Sequence, residues 1–178
     1  MIASFFRAAK RLLSNLMSDL RYGGTFLGGT RKSRAADLGF YDTANSSYAA
    51  LRQIFGGRVE RGQRVVDVGA GKGRVINFLL SLDLDLEIIG IEVDPAVAAA
   101  THTRLQHYPD VRIVMGDARQ CLPEAFDLLY MYNPFALPIM ADFERKLRGR
   151  AKKILYYNPL HLEPFMNDAW VVTVEARG

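Results

Sequence analysis

The segment Val65-Val66-Asp67-Val68-Gly69-Ala70-Gly71-Lys72-Gly73-Arg74 constrains this chain more than any other stretch of its 178 residues. An apolar run carries a carboxylate, three glycines follow at alternate positions, and a helix-permissive stretch runs from Val75 to Leu82. That order is a strand, a turn without side chains and a helix, by which an α/β sheet brings backbone N–H groups against a ligand. Asp67, just ahead of the glycines, suits a ligand with hydroxyl or ammonium donors beside the turn. A dinucleotide fingerprint would place its third glycine at position 74, where an arginine stands, so the spacing disfavours a dinucleotide.

The rest of the chain alternates in the same manner. Strands are expected at 63–68, 87–92, 111–115, 126–132, 152–157 and 170–175. Helices are expected at 73–82, 95–107 and 136–148, with short helical turns near 118–122 and 161–166. Strands and helices in alternation, with apolar strands, imply a doubly wound and mostly parallel sheet. Right-handed crossovers then gather the ligand loops at the C-terminal ends of the strands. Ahead of the first strand, Asn45 or Ser46 is placed to cap a helix through Tyr48, Leu51 and Ile54, stopped by Gly56-Gly57.

The other strand ends carry matching chemistry. The second ends in Glu92, 19 residues after Gly73, where a carboxylate can accept both hydroxyls of a ribose. Asp94-Pro95 reads as the cap and first residue of the next helix. The third closes at Asp117-Ala118, a carboxylate that either takes the amino hydrogens of an adenine or caps a helix, with the Ala118 N–H beside it. The fourth ends Asn133-Pro134-Phe135, where amide and carbonyl oxygens can hold an amine and an aromatic can face a flat or cationic partner. The fifth repeats the stop as Asn158-Pro159, followed by His161, the histidine best placed for a base. His102 and His107 fall on the outer side of a helix.

Charge is distributed unevenly. The net charge is +4, yet residues 1–34 carry seven cations (Arg7, Lys10, Arg11, Arg21, Arg31, Lys32, Arg34) against Asp19 alone, so the remainder is slightly acidic. That distribution argues against a nucleic-acid face spread over the domain but leaves room for a basic arm. Within it, Ile2, Phe5, Phe6, Ala9, Leu12, Leu13, Leu16, Met17 and Leu20 recur with helical period, an amphipathic helix. Three roles stay open for it: docking on its own domain, packing against a partner chain, or lying on an anionic membrane surface. The chain thus divides into a helix and Gly-rich linker, 1–34, and an α/β domain, 35–178. Cys121 is the single cysteine, so no disulfide framework or Cys-based metal cluster is available. No run approaches the ~18 uncharged apolar residues a membrane span needs, and a cytoplasmic protein is expected.

In chain order, Asp67, Gly69, Gly71, Gly73, Glu92, Asp117 and Asn133-Pro134-Phe135 resemble motifs one to four of the class I S-adenosylmethionine (SAM) methyltransferases, over residues 40–160. The resemblance implies a sheet of that family's type. It also implies SAM with its methionine at Asp67, Gly69, Ala70, Gly71 and Gly73, its ribose on Glu92 and its adenine beside Asp117 and Ala118. S-adenosylhomocysteine would be the product, and Asn133, Pro134 and Phe135 the catalytic motif. The glycine loop and the upstream Gly39-Phe40-Tyr41-Asp42-Thr43 are similar to small bacterial and archaeal members, some related to non-SET protein lysine methyltransferases. There the upstream segment helps close over the cofactor, which casts Tyr41 and Thr43 as lid residues.

Two features depart from that pattern. Amine-directed members carry two prolines before an aromatic, and here one proline precedes Phe135. The family's sheet normally finishes with an antiparallel pair, whereas only Trp170 to Glu175 remains here, so one edge strand is missing or supplied from elsewhere. An exposed edge of that kind is a candidate dimer contact. The expected reaction is transfer of a methyl group to an N or O nucleophile by in-line displacement without a metal, with protein lysine or a small molecule favoured as acceptor. The rivals are a non-catalytic SAM-fold subunit at a membrane surface or in a complex, and an RNA methyltransferase using the basic arm.

Overall fold

The computed structural model describes residues 2–23, 25, 27, 39–40, 45–165 and 171–174. Tyr41 and Thr43, expected as lid residues, lie outside the described residues. Six strands form one sheet in the order β3-β2-β1-β4-β5-β6. They are β1 (Arg64–Val68), β2 (Glu87–Glu92), β3 (Val111–Met115), β4 (Phe126–Met131), β5 (Ala151–Tyr157) and β6 (Val171–Val174). The helices are α1 (Ile2–Gly23), α2 (Tyr48–Phe55), α3 (Arg74–Leu80), α4 (Pro95–Leu105), α5 (Ala118–Cys121) and α6 (Leu137–Leu147), with a 3-10 turn at Glu163–Phe165.

Consecutive strand residues supply opposite faces, so apolar doublets such as Val65-Val66, Ile88-Ile89 and Leu128-Leu129 bury both sides of the sheet. Val66, Ile89 and Leu129 pack with Met140, Phe143 and Leu147 of α6. Val65, Ile88 and Leu128 pack with Leu51 and Ile54 of α2, Ile76 and Leu79 of α3, and Leu105 of α4. Strand order reverses between β1 and β4, and the cleft of such a sheet opens at that point, above the C-terminal ends of both strands.

Two expectations change in detail. The cap of α2 is Ser47, whose hydroxyl accepts the Ala50 N–H at 3.2 Å, not Asn45 or Ser46. Three adjacent residues can each cap, but the Asn45 amide donates to the Leu27 carbonyl and the Ser46 hydroxyl bonds Tyr130, which leaves the cap to Ser47. At the other end of the sheet, β6 pairs with β5 in parallel, Tyr156 opposite Thr173, in place of an antiparallel finish. All five strand pairings described are parallel.

Candidate active site

Gly69, Gly71 and Gly73 all have left-handed backbones, with φ of 77°, 53° and 77°. At Gly73 a Cβ would also sit 2.7 Å from Arg104 Nη2 and 3.0 Å from Thr101 Cγ2, so a side chain there would be strained and would push the guanidinium off the loop. The loop is held from both sides. Gly69 and Ala70 donate to the carbonyl of Ile91 at 2.9 and 3.0 Å. From α4, Thr101 donates to the carbonyl of Gly71 at 2.8 Å and Arg104 to that of Lys72 at 2.8 Å. Burial holds the Arg104 guanidinium below its ordinary pKa.

Asp67 ends under this loop at 1 % exposure, and its Oδ2 has no hydrogen-bond partner. Burial, and then the charge of Glu92, push its carboxyl up to about 8. A buried acceptor without a donor costs stability until a donor arrives. Glu92 is treated differently: its two oxygens accept the N–H groups of Gly71 and Asp94, each at 2.8 Å. Burial raises this carboxyl as well, against the lowering by those N–H groups. Each of its oxygens keeps a second lone pair for a ligand. Both acids, Gly69, Ala70, Gly71, Asp94, Gly116, Ala118, Asn133, Pro134 and Phe135 line one cavity of about 660 Å³, and Gly73 does not.

Asp117 does not line that cavity, although its neighbours Gly116 and Ala118 do. Its carboxylate caps α5 through the Arg119 N–H at 2.9 Å and pairs with the Arg119 guanidinium at 2.6 Å. Burial alone would raise this acid, and the bonds to Arg119 bring it below its ordinary pKa instead. Of the two roles left open for this residue, capping is the one its side chain performs here.

Asn133 is likewise engaged. Its Oδ1 accepts the Tyr156 hydroxyl at 2.9 Å and the Leu160 N–H at 2.8 Å, and its Nδ2 donates to the Asn158 carbonyl at 2.7 Å. Both Asn–Pro stops have left-handed asparagines, with φ of 45° at Asn133 and 42° at Asn158, a conformation that asparagine tolerates better than other side chains. One stop therefore clamps the other. Phe135 is buried, edge-on to Phe40 at 5.5 Å and to Phe143 at 5.0 Å. His161 is half-buried, donates its backbone N–H to the Tyr156 hydroxyl at 3.3 Å, and is not among the cavity-lining residues. His102 is exposed, as is His107, which lies past the end of α4 and packs its ring on Tyr108.

Residues 65–154, from β1 into β5, match the model of the family described as methyltransferase domain. The chain belongs to the methyltransferase domain family. No curated protein matches it. Among solved structures, the glycopeptide N-methyltransferase MtfA complexed with SAM is similar at a TM-score of 0.51 and 20 % identity, over 60 % of this chain and 50 % of that one. A mutant of MtNAS in complex with SAM is similar at a TM-score of 0.51 and 22 % identity, over 61 % of this chain and 44 % of that one. Likeness at that level is likeness of fold, and the chain spans half or less of the length of each.

The methyltransferase domain has parts of its site that the sequence reading did not find. Arg74, first residue of α3, lines the cavity and is gripped by Asp19 of α1: Nε to Oδ1 at 3.0 Å and Nη2 to Oδ2 at 2.6 Å. Asp19 is fully buried and also accepts the Tyr48 hydroxyl at 2.9 Å and the Leu27 N–H at 3.0 Å. Ser46 closes the cavity wall against Tyr130, their hydroxyls 3.1 Å apart, and burial raises the pKa of that phenol. Above Phe135, Gly39 accepts the Ala136 N–H at 2.8 Å and Phe40 forms a bridge with Phe135, so Gly39 and Phe40 cover the Asn-Pro-Phe segment. Apart from Asp19 with Leu27, these pairs lie 29 to 97 residues apart and carry no local pattern that would reveal them. Among the described residues no group of histidine, cysteine and carboxylates is placed to hold a metal.

Proposed function

We propose that this domain binds SAM and transfers its methyl group to an amine nitrogen by in-line displacement. The observation that carries the reading is the unpartnered Asp67 carboxylate oxygen under three left-handed glycines, with Glu92 held across the loop. SAM brings an ammonium, which gives Asp67 the donor it lacks, and a ribose diol, which takes the spare lone pairs of Glu92. The complexes of MtfA and of MtNAS with SAM, on the same fold, support that assignment.

In the reaction the S–CH3 bond breaks with its electrons on sulfur, leaving S-adenosylhomocysteine, while the nitrogen lone pair forms N–CH3 and the amine proton passes to solvent. The domain's own contribution is to orient the amine and exclude water, and orientation is worth roughly 7–11 kcal/mol. Tyr132 and Leu160 stand exposed at the cavity mouth, and the Tyr132 ring lies 4.9 Å from that of Tyr157. Such a mouth faces a cation favourably and disfavours its hydration. That matters for a lysine, of which only about one molecule in a few thousand is neutral near pH 7. Asn133 fixes the β5 loop that carries Leu160, so it shapes the acceptor entrance.

The test is transfer of labelled methyl from SAM to peptides bearing lysine, to small amines and to carboxylate acceptors, with cell extract as a further source. Label retained as an acid- and base-stable methylamine supports the reading. Label recovered only as a base-labile ester overturns the amine assignment. Tight SAM binding without transfer to any of these would favour the non-catalytic module.

A further inference from the structure

Helix α1 is docked by its polar side. Asn15 accepts the Tyr48 N–H at 3.1 Å, Asp19 grips Arg74, and the Tyr22 carbonyl accepts from Arg104 at 3.3 Å. An amphipathic helix on a soluble domain ordinarily does the reverse and buries its apolar stripe. Here Leu12, Leu13, Met17 and Leu20 are 57 %, 58 %, 65 % and 47 % exposed. Four large apolar side chains on one helix, all outward, form a contiguous patch and not the scattered exposure of an ordinary surface. Exposed cations edge it: Lys10 stands three and seven positions before Leu13 and Met17, and Arg21 four after Met17, all on neighbouring turns. Arg7 and Arg11 belong to the same helix, and residues 1–34 carry six of the chain's positive charges in net.

We propose that the outward face of α1 is a docking surface for an anionic lipid bilayer. The apolar stripe enters the interfacial region while Lys10 and Arg21 reach the headgroups with their charged ends, their aliphatic stems lying along the stripe. Charge complementarity selects this occupant. A second copy of the chain would bring the same cations to the same edge, whereas an anionic surface neutralises them. The helix rides on the surface and does not cross: among the described residues no helix is long and apolar enough to span a membrane. Because Asp19 ties the helix to Arg74 in the cavity wall, docking would hold the whole domain at the bilayer and not a loose arm.

The experiment is co-sedimentation of the full chain with vesicles of phosphatidylcholine alone and with about one third phosphatidylserine. The chain should partition into the anionic vesicles, with affinity falling as salt rises. The double substitution Leu13→Glu and Met17→Glu should lower partitioning by about a hundredfold or more, since it removes apolar contact and adds repulsion. Lys10→Gln with Arg21→Gln should lower it about twenty-five-fold on anionic vesicles, at roughly fivefold per cation. Circular dichroism and thermal midpoint, unchanged in both variants, separate these effects from misfolding, because every substituted side chain is exposed. Absence of partitioning, or partitioning untouched by the Leu13→Glu/Met17→Glu pair, overturns the proposal. So does a solution dimer that the same pair dissociates, which would make the face a seam between two copies.

Discussion

The two halves of the cleft treat their polar groups in opposite ways. On the β1–β2 side, buried acids are left with acceptor capacity: Asp67 Oδ2 meets no donor, and each Glu92 oxygen takes a single backbone N–H. On the β4–β5 side the obvious polar group is engaged at both ends, since Asn133 bonds Tyr156, Leu160 and Asn158. The first side stores an unmet demand that a ligand fulfils, at the cost of stability in the free protein. The second is a rigid frame whose contribution is shape and aromatic surface. On the proposed reading, one wall recognises a small cationic group and the other steers the nucleophile.

Substitutions on the two sides should separate accordingly. The largest effect is expected at Asp67: Asp67→Ala should weaken SAM binding by about a hundredfold or more, the scale for removing one partner of a buried charged hydrogen bond. A calorimetric titration reads it, and affinity within about threefold of the unsubstituted protein would break the comparison at its root.

Next comes pH. The folded carboxyl of Asp67 titrates near 8, above its ordinary 3.8, so folding takes up a proton and stability of the free protein falls as pH rises from about 4 to about 8. Pairing with an ammonium favours the charged form, so binding releases that proton and SAM affinity should rise with pH, up to about tenfold per unit, and level off near 8. Titrations in two buffers of different ionisation enthalpy count the proton, and Asp67→Asn should remove it. A flat profile with no proton released would place the ammonium elsewhere.

The frame side should respond more weakly and in a different quantity. Asn133→Ala frees the 158–160 loop and should cut turnover by about tenfold while leaving SAM affinity intact, because no bond to the glycine loop is lost. Turnover and affinity falling together would show that the two walls are not independent. Smallest of all, Tyr156→Phe removes one of the two donors to Asn133 Oδ1 and should cost about 1 kcal/mol of stability in denaturant unfolding, with little change in binding.

What could be read in the sequence follows the same division. Each strand fell within a residue or two of expectation, because apolar doublets between glycines and caps are local signals. The cofactor wall was legible for a related reason: Asp67, the three glycines and Glu92 do their work through backbone that the sequence itself encodes. The frame was not legible. Asn133 looks the same in sequence whether its amide faces a substrate or Tyr156, and only the packing of β4 beside β5 decides. Asp117 shows a capping signature and a ligand signature at once, and Arg119 two residues on settles where its carboxylate goes. The polar side of α1 carried no warning either: the periodicity of Leu12, Leu13, Leu16, Met17 and Leu20 marks an apolar face without saying which way it turns. A buried pair 55 residues apart, Asp19 with Arg74, turns it outward.

The central claim is that an unpartnered Asp67 under the glycine loop makes this a SAM site, and calorimetric titration of the purified chain with SAM, with NAD as the control ligand, tests it most directly. The account predicts micromolar binding of SAM, none of NAD, and loss of the SAM signal in Asp67→Ala. No SAM binding by a sample shown to be folded, or equal binding of NAD, would contradict it.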